Sequence, residues 1–321
     1  MISSSNSAAP VRRALVIGGR GFVGSHLVRH FLQRGTEVHV FGPEMKDDLL
    51  SDIAGRFSET IGSVEDAQSV TRTVNAARPD VIISTAAYGE STGLMSGGEA
   101  NAERAIAVNV EGWRKVLEAA EAAGIKRVLT TGSSVVFGPP SSYSEERLDE
   151  GARRAPRTVY GLTKVLSEDI GQYYRDRYGL EVCSIRLPIV LGPGLWYRGA
   201  ASAISELFES ARPGASHSVR FHDDVIDVMH VSDVARAIAV IATDGGALDA
   251  VYHINGFSAS MSQIIAALRA QVSAYEVNHE YVEPANSFPL MDDSRFRKRY
   301  GFVPRYDLDA LVRTQITRKA S

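Results

Sequence analysis

The feature that most constrains this chain is an apolar run that breaks into glycine and turns straight into a helix. Residues 14–17 are apolar and Gly18-Gly19-Arg20-Gly21-Phe22-Val23-Gly24 follows. Residues 22–34 then put Phe22, Val23, Leu27, Val28, Phe31 and Leu32 at helical spacing before Gly35 stops the helix. Gly18, Gly21 and Gly24 form G-x-x-G-x-x-G. A strand, turn and helix with glycine at these places suits a dinucleotide. The turn is tight, the backbone must approach a pyrophosphate, and the last glycine lets helix pack on strand. The free N–H groups and positive dipole end of the helix then face the anion. The bland alternative is a structural glycine-rich turn. Its place near the N-terminus, between strand and helix, favours the binding reading.

Further apolar runs at 37–41, 56–61, 81–84, 127–131 and 181–187 alternate with helical patterns at 101–123 and 159–178. Such alternation implies right-handed crossovers and a parallel sheet covered on both faces, an α/β doubly wound fold. After about residue 190 the pattern loosens, and helices at 200–211 and 260–272 are separated by irregular segments. The expected division has a disordered tail (1–10), a dinucleotide-binding domain (11–190) and a mostly smaller substrate-binding lobe (191–321), with some segments returning to the first domain. Ligands of such sheets bind at the carboxyl ends of the strands, which that lobe would cover.

Composition removes several alternatives. A net charge of -3 over 321 residues carries no footprint for nucleic acid. The single cysteine, Cys183, excludes an internal disulfide and sits in an apolar run, as a small core residue does. No stretch approaches the roughly 20 apolar residues of a membrane span. Residues 1–10 lack the apolar core of a secretory signal, so a cytoplasmic protein is expected. His222, Asp223, Asp224 and His230 have no further convergent ligands, and no metal is expected.

The chemistry is carried by Tyr160 and Lys164, four apart in a predicted helix and therefore on one face. A phenol with its pKa near about 10 is a poor acid or base at neutral pH. An ammonium beside it favours phenolate. The tyrosine can then exchange a proton with a substrate hydroxyl while hydride moves to or from a nicotinamide. Ser133, at the end of the predicted strand before that helix, is placed to hold the substrate oxygen.

Which dinucleotide binds stays open between NAD and NADP. The acid that NAD enzymes carry at the end of the second strand is replaced by Gly42, and Glu44 stands two residues later. Arg20 in the glycine turn would pair with a 2′-phosphate and leans towards NADP.

Taken together these segments resemble the extended short-chain dehydrogenases, the NAD-dependent epimerase/dehydratase family, over nearly the whole chain. The resemblance rests on Gly18–Gly24, on Asp80-Val81-Ile82-Ile83-Ser84-Thr85-Ala86-Ala87 and on Asn109-Val110-Glu111-Gly112. It also rests on Ser133-Ser134-Val135-Val136-Phe137-Gly138, with Phe137 for the family's tyrosine, and on Tyr160 with Lys164. Arg186–Gly194, Asp227–Val234 and Asp292–Tyr306 complete it. It implies a Rossmann domain with a smaller C-terminal lobe, and Ser133, Tyr160 and Lys164 as the catalytic set. It implies cofactor contacts from Gly18, Arg20, Gly21, Phe22, Val23, Gly24, Ser63, Val64, Ala86, Ala87, Tyr88, Asn109, Thr131, Tyr160, Lys164 and Pro188. Ser63 stands where the family has an adenine-contacting Asp. A homodimer through helices 101–123 and 159–178 is implied as well.

The substrate side departs from the family. Ile189 and Ile226 stand where nucleotide-sugar enzymes have Asn and a phosphate-gripping Arg, with Arg198, Arg212 and Arg220 as candidate substitutes. Ser134-Val135 replaces the Asp-Glu pair of the sugar dehydratases, which disfavours elimination. Trp196 and Tyr197 either line the substrate cleft or pack in the lobe. The leading expectation is hydride transfer at a secondary alcohol or ketone of a sugar or sugar nucleotide. The first alternative is a dehydrogenase or reductase of a small non-nucleotide substrate such as a sugar acid, polyol or other alcohol. The second, of another class, is a non-catalytic dinucleotide-binding regulatory protein.

Overall fold

The alternating apolar runs lie side by side as parallel strands. In a computed structural model, residues 11–46, 48–195, 199 and 202–317 are described. The strands are β1 (Arg13–Ile17), β2 (Glu37–Gly42), β3 (Ser58–Ile61), β4 (Val81–Ser84), β5 (Arg127–Ser133), β6 (Arg147–Leu148), β7 (Glu181–Leu187) and β8 (Ile189–Leu191). They continue with β9 (Ser216–Phe221), β10 (Ile226–His230), β11 (Val251–His253), β12 (Phe257–Ala259), β13 (Glu276–Tyr281) and β14 (Leu290–Met291). The helices are α1 (Phe22–Gln33), α2 (Ala67–Ala77), α3 (Leu94–Ala100), α4 (Ala102–Ile106), α5 (Gly112–Ala122) and α6 (Val159–Tyr178). After these come α7 (Ser202–Ser210), α8 (Val231–Ala242), α9 (Met261–Gln271), α10 (Ser294–Tyr300) and α11 (Leu308–Thr317). No described helix is long and apolar enough to cross a membrane.

The main sheet has the order β11, β7, β5, β4, β1, β2, β3 and is parallel throughout. It is an α/β doubly wound Rossmann sheet. Side chains of a strand alternate between faces, and β1 shows why both faces need cover. Ala14 and Val16 join a core with Leu27, Val28 and Phe31 of α1 and Val234 and Ile238 of α8. Leu15 and Ile17 join the opposite core with Val70 of α2, Trp113 of α5 and Tyr174 of α6. The strand order reverses between β1 and β4, and the glycine turn leaves β1 at that switch point. A separate core formed by α7, β9, β10, α9, β13 and α11 lies beyond it.

Three segments differ from the sequence expectation. The helix foreseen over 101–123 is interrupted, because residues 107–111 form a π turn between α4 and α5. The wider turn seats Asn109 inward, and Gly112 passes so close to Val64 that a Cβ would lie 2.6 Å from its Cγ2. The helix α2 and the strand β11 were not foreseen. Helix α2 is polar in composition, its buried face being Ser69, Val70, Thr73 and Val74, and it is secured by Asp66, whose side chain accepts from Gln68 N and Ser69 N. Strand β11 is only three residues long and owes its place to its register with β7.

Strand β11 is joined to α6 through buried charge. Arg186 on β7 donates from Nε and Nη2 to the two oxygens of Glu168 on α6, at 2.8 and 2.8 Å. Its Nη1 donates to His253 Nε2 at 3.0 Å, while the His253 ring faces Asp292 O through Nδ1 at 3.2 Å. This pattern needs a neutral imidazole, and burial together with the Arg186 charge holds the His253 pKa down at about 3. Removing one partner of a buried ion pair typically costs about 3–5 kcal/mol. Arg186→Ala should therefore lower the urea midpoint of unfolding by a corresponding amount. His253 is neutral when folded but gains a proton below about pH 6.5 when unfolded. Its contribution to stability is complete above that pH and is lost as pH falls towards 3. Urea midpoints at pH 7, 6 and 5 should fall, with a shallower slope in His253→Gln; equal slopes would contradict the assignment.

Candidate active site

Backbone crowding at the start of α1 shapes the first wall of the site. Gly18 has φ +76° and donates its N–H to Phe41 O at 2.7 Å, which ties the turn to the end of β2. A Cβ on Gly24 would lie 2.2 Å from Gly18 O, and one on Gly18 would lie 2.8 Å from Ala86 N. Only glycine permits these approaches. No side chain caps α1, so its first N–H groups are available at its N-terminal end. Phe22, Val23 and Gly24 of that end line a cleft of about 580 Å³. A cradle of bare backbone at a helix N-terminus fits a dinucleotide pyrophosphate.

The cleft runs from the glycine turn and the end of β2 to the ends of β4 and β5, Tyr160 and residues 187–190. Of the residues named from sequence, Gly18, Arg20, Gly21, Phe22, Val23, Gly24, Ser63, Val64, Ala86, Ala87 and Tyr88 line it, as do Thr131, Ser133, Tyr160 and Pro188. Asn109 and Lys164 lie behind its wall. Asn109 Oδ1 accepts from Tyr88 N at 2.7 Å and its Nδ2 donates to Thr163 Oγ1 at 3.0 Å, so it joins the cleft backbone to α6.

Helix α6 starts at Thr158, whose side chain accepts from Gly161 N at 3.0 Å. Gly161 brings the helix against the turn after β5, since a Cβ there would lie 2.4 Å from Val135 O. That contact sets Tyr160 beside the strand end that carries Ser133. Ser133 Oγ accepts from Val135 N at 3.4 Å. Lys164 Nζ is buried, donates to Thr131 O at 2.7 Å and lies 5.4 Å from the centre of the Tyr160 ring. Burial lowers the Lys164 pKa to about 8, against the opposing pull of Glu168. The group is thus mostly ammonium at pH 7, and such a charge beside a phenol favours phenolate.

The charges of the cleft correct part of the sequence reading. Arg20 is not free: its Nη1 pairs with Asp48 at 2.8 Å and its Nη2 with Glu59. Glu44 is exposed and outside the cleft wall. Arg220 pairs with Glu280 on the surface and, like Arg212, does not line the cleft. Trp196, Tyr197 and Arg198 lie outside the described residues, as does the tail at 1–10. His230 stacks on Tyr306 at 3.8 Å and caps α8, with burial lowering its pKa to about 4. His222 faces Asp224 at 3.5 Å, while Asp223 binds Ser262.

Residues that the sequence reading did not name include Glu65, Glu90, Leu94, Met95 and Arg104. Glu65 takes an ion pair from Arg104 at 3.1 Å and accepts from Ser63 Oγ at 3.1 Å, so a carboxylate stands beside the serine that replaced the family's Asp. Glu90 accepts from Tyr88 Oη at 2.7 Å. Glu65 and Glu90 come from loops, Leu94 and Met95 from the start of α3 and Arg104 from α4. The only signal for Glu65 was an acid two places after Ser63.

The family model described as "NAD dependent epimerase/dehydratase family" matches residues 14–255. The chain is 29% identical over 327 aligned residues to the mitochondrial L-threonine 3-dehydrogenase of Bos taurus, covering 98% of this chain and 84% of that one. It is 30% identical to a 3 beta-hydroxysteroid dehydrogenase/Delta 5-->4-isomerase of Mycobacterium tuberculosis, over 76% of this chain and 64% of the other. The UDP-glucose 4-epimerase of Thermus thermophilus, solved in complex with NAD, superposes with a TM-score of 0.80 at 22% identity, covering 96% of this chain and 100% of that one.

Gly24→Ala should abolish dinucleotide binding in calorimetry while circular dichroism stays near that of the parent. Retained affinity would show that the turn can yield to the Cβ.

Proposed function

The chain belongs to the NAD-dependent epimerase/dehydratase family, and from that membership we propose that it oxidises a small secondary alcohol, or reduces the matching ketone, on a substrate without a nucleotide. It is an NAD-dependent oxidoreductase of the extended short-chain dehydrogenase type. The observation that carries the substrate reading is the state of charge in the cleft. The arginines that line it, Arg20 and Arg104, are already paired with Asp48, Glu59 and Glu65. Glu90 meets a neutral phenol and no cation among the described residues. With the α1 end assigned to the cofactor, a pyrophosphate-bearing substrate would gain most from charge-assisted donors, and the described side chains of the wall offer none to spare. Leu94, Met95, Val135 and Ile189 make the same wall apolar. A neutral or cationic alcohol fits it better than a sugar acid or a sugar nucleotide.

The proposed roles follow the geometry. Ser133 holds the substrate oxygen, and Tyr160 takes the hydroxyl proton in oxidation and returns it in reduction. Lys164, fixed on Thr131 O, supplies the positive charge that favours the phenolate. The nicotinamide, when bound, accepts or donates the hydride. The cradle at Gly18–Gly24 binds the pyrophosphate, with the remaining cofactor contacts those named from sequence. NAD is favoured over NADP because Arg20 is occupied. A homodimer is part of the proposal, since Leu162 and Tyr173 lie about three turns apart on α6 with 43% and 55% exposure.

Tyr160→Phe should lower kcat by about 10²–10⁴-fold and leave NAD affinity within a few-fold of the parent. The parent enzyme should reduce NAD with some member of a panel of polyols, amino alcohols, L-threonine and a 3-hydroxysteroid, followed at the NADH absorbance. Turnover or NAD-dependent stabilisation by UDP-glucose, with silence from the rest, would replace this reading by the nucleotide-sugar one.

A further inference from the structure

We propose that Asp48 and Glu59 set the choice of NAD over NADP by occupying Arg20, the cation of the glycine turn. This rests on the NAD reading above and names the groups that enforce it. In a sheet of this kind the adenosine ribose lies against the end of the second strand, here Gly42, which with Pro43 lines the cleft. Arg20 reaches that place from the glycine turn. Left free, its guanidinium would pair with a 2′-phosphate.

It is not left free. Asp48 takes Nη1 at 2.8 Å, and Glu59 takes Nη2. The Nε of Arg20 is buried without a hydrogen-bond partner, so these ion pairs are what hold the group. Asp48 is itself fixed, since its Oδ1 accepts from Leu50 N at 3.0 Å. Glu59 sits on β3 in register with Val40 of β2, two residues before Gly42. Two carboxylates thus share one guanidinium, and the cluster keeps one net negative charge. A 2′-hydroxyl is a neutral donor that a carboxylate can accept. A 2′-phosphate carries about two negative charges and must displace both acids or lie beside them. The acid missing at Gly42 is therefore supplied from two other segments of the chain.

The test compares dissociation constants for NAD and NADP by calorimetry in the parent, Asp48→Asn, the double variant D48N/E59Q and the triple variant R20A/D48N/E59Q. The parent should favour NAD. The double variant should move the ratio at least ten-fold towards NADP, the single variant should lie between, and the loss of Arg20 should remove the gain. A parent that favours NADP overturns both the NAD reading and this device. A parent that favours NAD, with an unchanged ratio in the double variant, overturns the device alone. A gain that survives without Arg20 also overturns it. Should the double variant fail to fold, Asp48→Asn decides the question, because Asp48 lies in a loop and its replacement leaves β3 intact.

Discussion

Much of the site depends on how α6 is held to the sheet. Tyr160 and Lys164 ride on this helix, and its first turn lies against the bend after β5. Four residues after Lys164, Glu168 meets the forked guanidinium of Arg186 from β7. A bidentate contact of this kind fixes direction as well as distance. Because Arg186 also reaches His253 on β11, one buried side chain sets α6, β7 and the edge strand together. The cost of burying these charges is met by pairing them, and the neutral His253 follows from the same arrangement. The negative charge of Glu168 then helps Lys164 keep its proton in a place where burial alone would remove it.

A second theme is charge balance at the mouth of the cleft. Arg20 and Arg104 both face carboxylates of the same chain. The Arg104 pair, exposed as it is, adds little to stability, about 0–1 kcal/mol. In the proposed reading the weight of these pairs lies in selection, because a ligand phosphate would have to compete with acids already in place. For the proposed pyrophosphate there remains bare backbone at the end of α1, whose N–H groups and helix dipole suit an anion.

The sequence was most legible where a period or a forced conformation left a mark. Strands β4 and β7 and helix α6 begin and end where the apolar runs and the stop at Gly179 placed them. The glycine turn was legible because Cβ atoms are impossible there. Helix α2 and strand β11 were not, the first for its polar composition and the second because three residues carry no period. The interruption of the helix at 107–111 comes with Asn109 bonding to Tyr88 and Thr163, partners that lie distant in sequence. Arg20 is the sharpest case. Its position in the turn was plain, but a residue type and a position do not say which acids reach it.

By itself, then, the sequence determined the doubly wound sheet, the crowded glycine turn before α1 and the placing of Tyr160 and Lys164 on one helix, since local backbone geometry and periodicity decide all three. Only the tertiary structure decided the charge state of the cleft. Asp48, Glu59, Glu65 and Glu90 come from separate loops and strands. Whether a carboxylate neutralises an arginine or stands alone depends on distances of a few ångströms between segments far apart in the chain, and no local pattern encodes them.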